Sequence, residues 1–173
     1  MRSVREITLI SSFVAILVGG QLALSWATGV EVVTVLFVTF SYHFGVRRSL
    51  AVATAFSLLR CLLFGFFPNV LILYLIHYNL FAVIFGALGR IFRYNVNVKI
   101  HLWLIGLSIF MAVCFTLFDD IITPLFYQYT SEATIAYFFS SLYAMIPQTI
   151  CSAVTVAVLG RPLLKAYEIV KMK

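Results

Sequence analysis

Residues 70–92 read VLILYLIHYNLFAVIFGALGRIF, and this stretch decides the fold. It contains one side chain that is always charged, Arg90, close to its end. A helix needs about 20 predominantly apolar residues to cross the hydrocarbon core of a bilayer. The strands of a membrane barrel would instead show segments of about 10 residues in which polar and apolar side chains alternate. The stretch therefore predicts a transmembrane helix.

The rest of the chain repeats this pattern. Of the 173 residues, 63% are apolar and 10% are charged, and the mean hydropathy of +1.07 lies outside the range of soluble domains. Turn-forming or polar residues separate the apolar segments. We therefore predict an all-α integral membrane protein, a single domain over residues 1–173 with six transmembrane helices in one compact bundle. The predicted spans are residues 7–28, 30–44, 49–67, 70–92, 100–122 and 134–159.

The basic residues predict the orientation of the chain. Of the 12 Lys and Arg residues, all except Arg60 precede the first span, follow the last, lie between spans two and three, or lie between spans four and five or, for Arg90, at the end of span four. Cytoplasmic loops carry an excess of Lys and Arg, so both termini are predicted to be cytoplasmic. Four acidic residues lie at the opposite ends of the spans: Glu31, Asp119, Asp120 and Glu132. The net charge of +6 fits an anionic lipid surface and requires no nucleic-acid partner.

Arg60 is the exception, because it lies inside the third span, in SLLRCLLFGFFPN (residues 57–69). A guanidinium in a span is unfavourable by about 2.5–3.5 kcal/mol on insertion scales, and such side chains face the bundle interior, a partner charge or a wet cavity. Polar side chains of four other spans fall at the same depth. We therefore predict a substrate cavity open to the outside. Its predicted residues are Gln21, Trp26, Arg60, Tyr74, His77, Tyr78, Asp119, Asp120, Tyr137 and Gln148.

Each of these residues also has a purely structural interpretation. Arg60 is satisfied if it pairs with Asp119 or Asp120, or if its side chain extends to the headgroups. The tyrosines and Trp26 fit an aromatic belt at the membrane interface. His77 fits a buried histidine of the core. The sequence leaves both interpretations open.

Signatures of catalysis are missing from the sequence. It contains no H-E-x-x-H, no G-x-S-x-G and no Gly-rich phosphate loop. Cys61, Cys114 and Cys151 lie in three different spans, without the C-x-x-C spacing of a redox or zinc site. We therefore predict a protein that is not an enzyme, with no catalytic residues and no metal site.

A stripe of small residues, Ser11, Ala15 and Gly19, recurs at a spacing of four in the first span. Small residues let another helix approach closely in lipid, so the stripe is a candidate docking face for a partner protein. Packing within the bundle is the alternative, because the same spacing recurs in other spans. The recurring pairs are Ala51 with Ala55 and Ala82 with Gly86.

The chain resembles the S component of an energy-coupling factor (ECF) vitamin transporter. The resemblance rests on residues 67–93, which read FPNVLILYLIHYNLFAVIFGALGRIFR, on the six predicted spans and on the small-residue stripe of the first helix. In that family the S component binds a vitamin on the outer side and docks on a transmembrane coupling protein, the T component, carried by two cytoplasmic ATPases. It then topples in the membrane to deliver the vitamin. The family contacts the coupling protein through alanine-x-x-x-alanine on its first helix, and Ala15 and Gly19 stand at that spacing here.

The chain as a whole looks most like the cobalamin-specific S component. This resemblance implies a bacterial cell membrane protein that carries cobalamin or a corrinoid precursor, while the partner ATPases use ATP and Mg²⁺. It also implies that the loops at residues 65–69 and 127–133 close over the substrate. Arg60, Gln21, Gln148 and Asn79 would suit the amides and phosphate of a corrinoid, and His77 is a conceivable cobalt ligand.

Other functions remain open at this point. The same cavity chemistry would serve riboflavin, folate, pantothenate or a pyridoxine relative. In a stand-alone secondary transporter, Arg60 and Asp119 would act as a proton relay. A membrane enzyme acting on lipids would need reactive groups at an interface, and His43 and His101 are the nearest candidates on the cytoplasmic side.

Overall fold

The computed structural model describes residues 4–26 and 32–171, and within these ranges every regular element is a helix. The expectation of an all-helical protein is therefore confirmed. Some predicted features lie outside the described residues. They are the end of the first span at Thr28, the start of the second at Val30, and the charged residues Arg2, Glu31 and Lys173. The helices are α1 (Val4–Ala23), α2 (Val33–Phe44), α3 (Val46–Phe64), α4 (Pro68–Ile91), α5 (Val98–Tyr127) and α6 (Ser131–Lys171).

Four of the helices, α1, α4, α5 and α6, are long and apolar enough to cross a membrane. The chain is thus consistent with a multi-pass membrane protein. The other two depart from a simple span: α2 has 12 residues, about 18 Å at 1.5 Å per residue, and α3 carries Arg47, Arg48 and Arg60. A span count of six remains a prediction.

The short helix α2 lies at the centre of the bundle and contacts all five other helices. Ten of its 12 residues are buried, including Phe37 and Phe40, which have almost no exposed surface. A helix that is hydrophobic all round is typical of such an enclosed position. The apolar character of residues 33–44 therefore reflects burial among other helices.

Both described ends of the chain lie at the same end of the bundle, which we call the terminal end. There Arg48 at the start of α3 forms an ion pair with Glu6 of α1, with 3.0 Å between Nη2 and Oε1. The Tyr167 ring of α6 contacts Phe44 of α2, with 5.5 Å between ring centroids. The opposite end, which we call the distal end, carries the α3–α4 and α5–α6 connections. This geometry agrees with two termini on one side; which side is cytoplasmic remains a prediction.

Two glycines of α4 allow α2 and α3 to approach closely at the terminal end. A Cβ atom on Gly86 would lie 2.6 Å from the backbone nitrogen of Val46, and one on Gly89 would overlap the carbonyl oxygen of Tyr42. Close approach through small residues is the usual means of helix association in lipid. The pair Ala82 and Gly86 therefore packs inside the bundle, as the structural interpretation of that spacing predicted.

Several helix ends differ from the ends of the predicted spans. Gly45, with a φ of 80°, is the single residue between α2 and α3, so α3 begins at Val46 rather than residue 49. Gly65, with a φ of 104°, ends α3 before residue 67. A positive φ costs glycine little, which permits such short reversals of the chain. At the distal end α5 continues to Tyr127 and α6 begins at Ser131, so most of the predicted closing loop at residues 127–133 is helical.

Candidate functional site

Side chains of three helices meet at Tyr74 in the distal half of the bundle. The guanidinium carbon of Arg60, from α3, lies 4.5 Å from the centroid of the Tyr74 ring on α4. The Nε2 of Gln21, from the last turn of α1, lies 3.2 Å from the Tyr74 hydroxyl and donates a hydrogen bond to it. A guanidinium over an aromatic ring is stabilised by the ring's quadrupole. Tyr74 therefore positions both polar side chains.

Aromatic rings extend this cluster along α4 and α5. The Tyr74 and Phe115 ring centroids are 5.5 Å apart, and the His77 ring lies 4.9 Å from Phe115. His77 is 4% exposed and also contacts Tyr78 at 5.3 Å. The positions 74, 77 and 78 share one face of a helix, as their spacing predicted. The predicted residues Gln21, Arg60, Tyr74, His77 and Tyr78 thus form one continuous set of contacts.

Asp119 lies in a neighbouring hydrogen-bond network that joins the distal ends of α4, α5 and α6. Its Oδ2 accepts a hydrogen bond from the Tyr137 hydroxyl and its Oδ1 accepts one from Thr123, each at 2.7 Å. Asn69 donates to the Thr123 hydroxyl at 3.0 Å, and the Tyr127 hydroxyl donates to Asn69 Oδ1 at 3.3 Å. Both carboxylate oxygens of Asp119 are therefore already engaged by hydroxyl groups.

Asp120 points into a different environment. It is 9% exposed, and its Oδ2 accepts a hydrogen bond from Ser141 of α6 at 2.9 Å. Its Oδ1 is buried without a hydrogen-bond partner. Consecutive residues of a helix point about 100° apart, which is why Asp119 and Asp120 have different surroundings.

Buried polar atoms without a hydrogen-bond partner occur in several parts of the described bundle, and four of them lie in its distal half. They belong to four different helices: Gln21 Oε1 of α1, Arg60 Nε of α3, His77 Nδ1 of α4 and Asp120 Oδ1 of α5. A buried polar atom without a partner costs about 1–3 kcal/mol. Such groups persist where a ligand, a water or an ion can satisfy them. These four atoms mark the candidate binding site.

One structural alternative for Arg60, an ion pair with Asp119 or Asp120, does not form in the structure. Among the described residues the ion pair that forms is Arg48 with Glu6, and Arg60 pairs with neither Asp119 nor Asp120. Arg60 is instead held by ring contacts to Tyr74 and, at 5.3 Å, Phe64. The arrangement also lacks the Arg60–Asp119 pair that a proton relay would use.

Three residues considered for the site lie apart from these contacts. Trp26 is 82% exposed, and its Nε1 donates to the carbonyl oxygen of Ala23 in its own helix. Gln148 is half-buried in the middle of α6. Asn79 donates to the carbonyl oxygen of Leu75 and contacts the exposed Thr54. The positions of Trp26 and Gln148 do not test their predicted roles.

Four residues that surround Asp119 and Asp120 are not among the predicted site residues. Asn69 and Tyr127 fall in stretches that read as loops, while Thr123 and Ser141 are small hydroxyl residues in apolar runs. Asn69 next to Pro68 carries one usable signal, since proline favours the first turn of a helix and Asn69 then lies inside it.

The two candidate histidines for a lipid-modifying enzyme do not lie at an open interface. His43 and His101 are buried, and His101 Nε2 lies 3.1 Å from the carbonyl oxygen of Ala157. In the part of the chain that the structure describes, no three His, Cys, Asp or Glu side chains are grouped to hold a metal ion.

The small-residue stripe of α1 lies on the outside of the bundle. Ser11, Ala15 and Gly19 are all exposed, and a Cβ atom on Gly19 would meet nothing within 4 Å. The helix buries the opposite face, with Phe13, Val14, Leu17 and Val18 in the core. Packing within the bundle therefore does not account for this stripe.

Comparisons with protein families, with curated proteins and with solved structures find no match to this chain.

Proposed function

We propose that this protein is the substrate-binding S component of an ECF-type vitamin importer. The observation that carries the proposal is the set of four buried polar atoms without partners, on Gln21, Arg60, His77 and Asp120. They come from four helices and lie in the distal half of the bundle. A solute with its own polar groups would satisfy these four atoms and so remove the cost of leaving them buried without partners.

The donors and acceptors of this set define the chemistry of the solute. Arg60 offers a permanent positive charge and an N–H donor, while Gln21 Oε1 and an ionised Asp120 offer acceptors. Tyr74, Tyr78 and nearby phenylalanines offer aromatic surface. A vitamin with amide or phosphate groups around a planar ring fits these groups. Cobalamin or a corrinoid precursor is the first candidate, and riboflavin, folate, pantothenate and pyridoxine relatives are the alternatives.

The exposed stripe of α1 supports a role for a membrane partner. Ser11, Ala15 and Gly19 leave a shallow surface that another helix can approach closely. In the proposed complex the T component docks here, and two cytoplasmic ATPases supply the work of ATP hydrolysis with Mg²⁺. This chain lies in a bacterial cell membrane with both termini in the cytoplasm, and its own role is to bind the vitamin.

Closure over the solute must come from helix ends, because the distal connections are short. Only residues 65–67 separate α3 from α4, and residues 128–130 separate α5 from α6. The network from Asn69 through Thr123 and Asp119 to Tyr137 joins the ends of three helices. A solute that contacts Asp120 and His77 would shift these ends together, and so favour the conformation that docks on the T component.

The proposal predicts ATP-dependent uptake of radiolabelled cobalamin by proteoliposomes that hold this protein with its co-expressed coupling protein and ATPases. Accumulation should stop when this chain or internal ATP is omitted. Uptake by this chain alone would instead indicate a secondary transporter, and a chemically altered solute would indicate an enzyme. If the complex assembles but does not transport cobalamin, the same uptake assay would be repeated with the other vitamins. Failure of the complex to assemble would contradict the proposal.

The docking face predicts a separate effect of Gly19→Leu. A Cβ atom at position 19 meets nothing within 4 Å, so the leucine side chain would extend away from its own bundle and obstruct a closely packed partner helix. Overpacking costs about 1–3 kcal/mol, so recovery of the complex by co-purification should fall about fivefold or more, with vitamin binding unchanged. The matched control is Ala136→Leu, an exposed position of α6. Equal recovery of both variants would reject the docking face.

A further inference from the structure

An open groove of about 510 Å³ runs along the outer surface of α5. Its lining is almost entirely apolar, apart from a lysine at one end. Trp103 in its wall is 70% exposed. Gly106 forms a notch, because a Cβ atom there would meet nothing within 4 Å. The lining residues are Lys99, Leu102, Trp103, Gly106, Leu107 and Phe110.

The length of the groove matches one leaflet of a bilayer. From Lys99 to Phe110 the helix rises about 16 Å at 1.5 Å per residue, which is about half of a hydrocarbon core of about 30 Å. The groove begins at the terminal end of the bundle and stops near the middle of α5. A docked transmembrane helix would need a surface along the full span, whereas one lipid molecule occupies one leaflet.

The charge at the end of the groove favours an anionic headgroup. Lys99 is exposed at the start of α5, and the exposed Arg90 and Arg93 lie close by along the chain, in the last turn of α4 and just after it. Trp103 lies one turn below Lys99, at the level where indole rings favour the membrane interface. Basic pockets at the ends of transmembrane helices are typical sites for anionic headgroups.

We propose that this groove binds one anionic phospholipid, with its phosphate at Lys99 and an acyl chain lying across Gly106 toward Phe110. The groove is separate from the proposed vitamin site, because its residues end at Phe110, whereas Phe115 and Asp120 contact their partners farther along α5, in the distal half. The lipid would hold α5 at a fixed depth in the membrane.

The charged end of the groove and its notch at Gly106 can be tested separately. Lys99→Gln removes the charge and should weaken binding of an anionic lipid about fivefold, while binding of a zwitterionic lipid stays the same. Gly106→Leu fills the notch without a clash and should weaken binding of both lipids. The matched control for added volume is Ala136→Leu, which should leave lipid binding unchanged.

The experiment uses the full chain, purified and delipidated in a neutral detergent. Lipid occupancy by native mass spectrometry and the thermal midpoint are measured with phosphatidylglycerol and with phosphatidylcholine of the same acyl chains. The proposal requires that phosphatidylglycerol bind more tightly and raise the midpoint more, and that Lys99→Gln abolish this difference. Equal binding of the two lipids, or a Lys99→Gln variant that keeps the difference, would overturn it.

A protein occupant gives a different result. If Gly106→Leu changed the oligomeric state or the recovery of a partner while lipid occupancy stayed the same, the groove would be a protein interface and the lipid proposal would be wrong. If Gly106→Leu does not fold, Lys99→Gln alone tests the proposal, because it leaves the notch intact and changes only the preference for phosphatidylglycerol over phosphatidylcholine.

Discussion

Replacing Arg60 with methionine is expected to weaken vitamin binding by about 30-fold or more, while the purified protein keeps or gains heat stability. Truncating a fully buried charged group that contacts a partner typically costs about 2–5 kcal/mol of binding free energy, and the half-buried Arg60 corresponds to the lower end, about 2 kcal/mol. The fold loses the ring contact to Tyr74, worth about 0.5–1 kcal/mol. The fold is also relieved of a charge in a predicted membrane span, where a charge is unfavourable by about 2.5–3.5 kcal/mol on insertion scales.

The test of Arg60→Met measures the dissociation constant of the vitamin and the thermal midpoint of the same detergent-purified variant. Arg47→Met is the matched control, because Arg47 is an exposed arginine at the terminal end. If Arg60 served only the fold, its replacement would lower the midpoint and leave the affinity as it was. A variant with both values unchanged would also remove Arg60 from the site.

Replacing Gly89 with alanine is expected to have the largest effect on stability. The new Cβ would overlap the carbonyl oxygen of Tyr42, so α4 and α2 would have to separate at their point of closest approach. Overpacking of this kind costs about 1–3 kcal/mol, and here the obstructing atom is backbone, which cannot rotate away. The thermal midpoint and the fraction that remains monodisperse after heating should both fall.

Gly19→Ala is the control for this substitution. Both changes gain the same helix propensity, about 1 kcal/mol, but the Cβ atom at position 19 meets nothing within 4 Å. The difference between the two midpoints therefore isolates the contact with Tyr42. Equal midpoints would mean that α2 and α4 are not packed as closely as described.

Much of the candidate site could be predicted from the sequence by counting residues along helices. A rise of 1.5 Å per residue placed Gln21, Arg60, Tyr74 and His77 at a similar depth, and contacts around Tyr74 join all four in the structure. Helical spacing does not report which way a helix is rotated about its axis. The partners of Asp119, and the separation of Arg60 from both aspartates, therefore could not be predicted.

The sequence by itself determined the helical membrane class, the clustering of basic residues at one end and the depth of the polar side chains. These follow from local properties, because the cost of placing a residue in lipid depends mainly on its own chemistry. Only the tertiary structure decided that α2 is enclosed by five helices and that Gly86 and Gly89 pack while Gly19 and Gly106 stay open. It also decided which buried polar atoms of the distal half lack partners. These depend on how each helix is rotated and how closely it approaches its neighbours, which packing of the whole bundle sets.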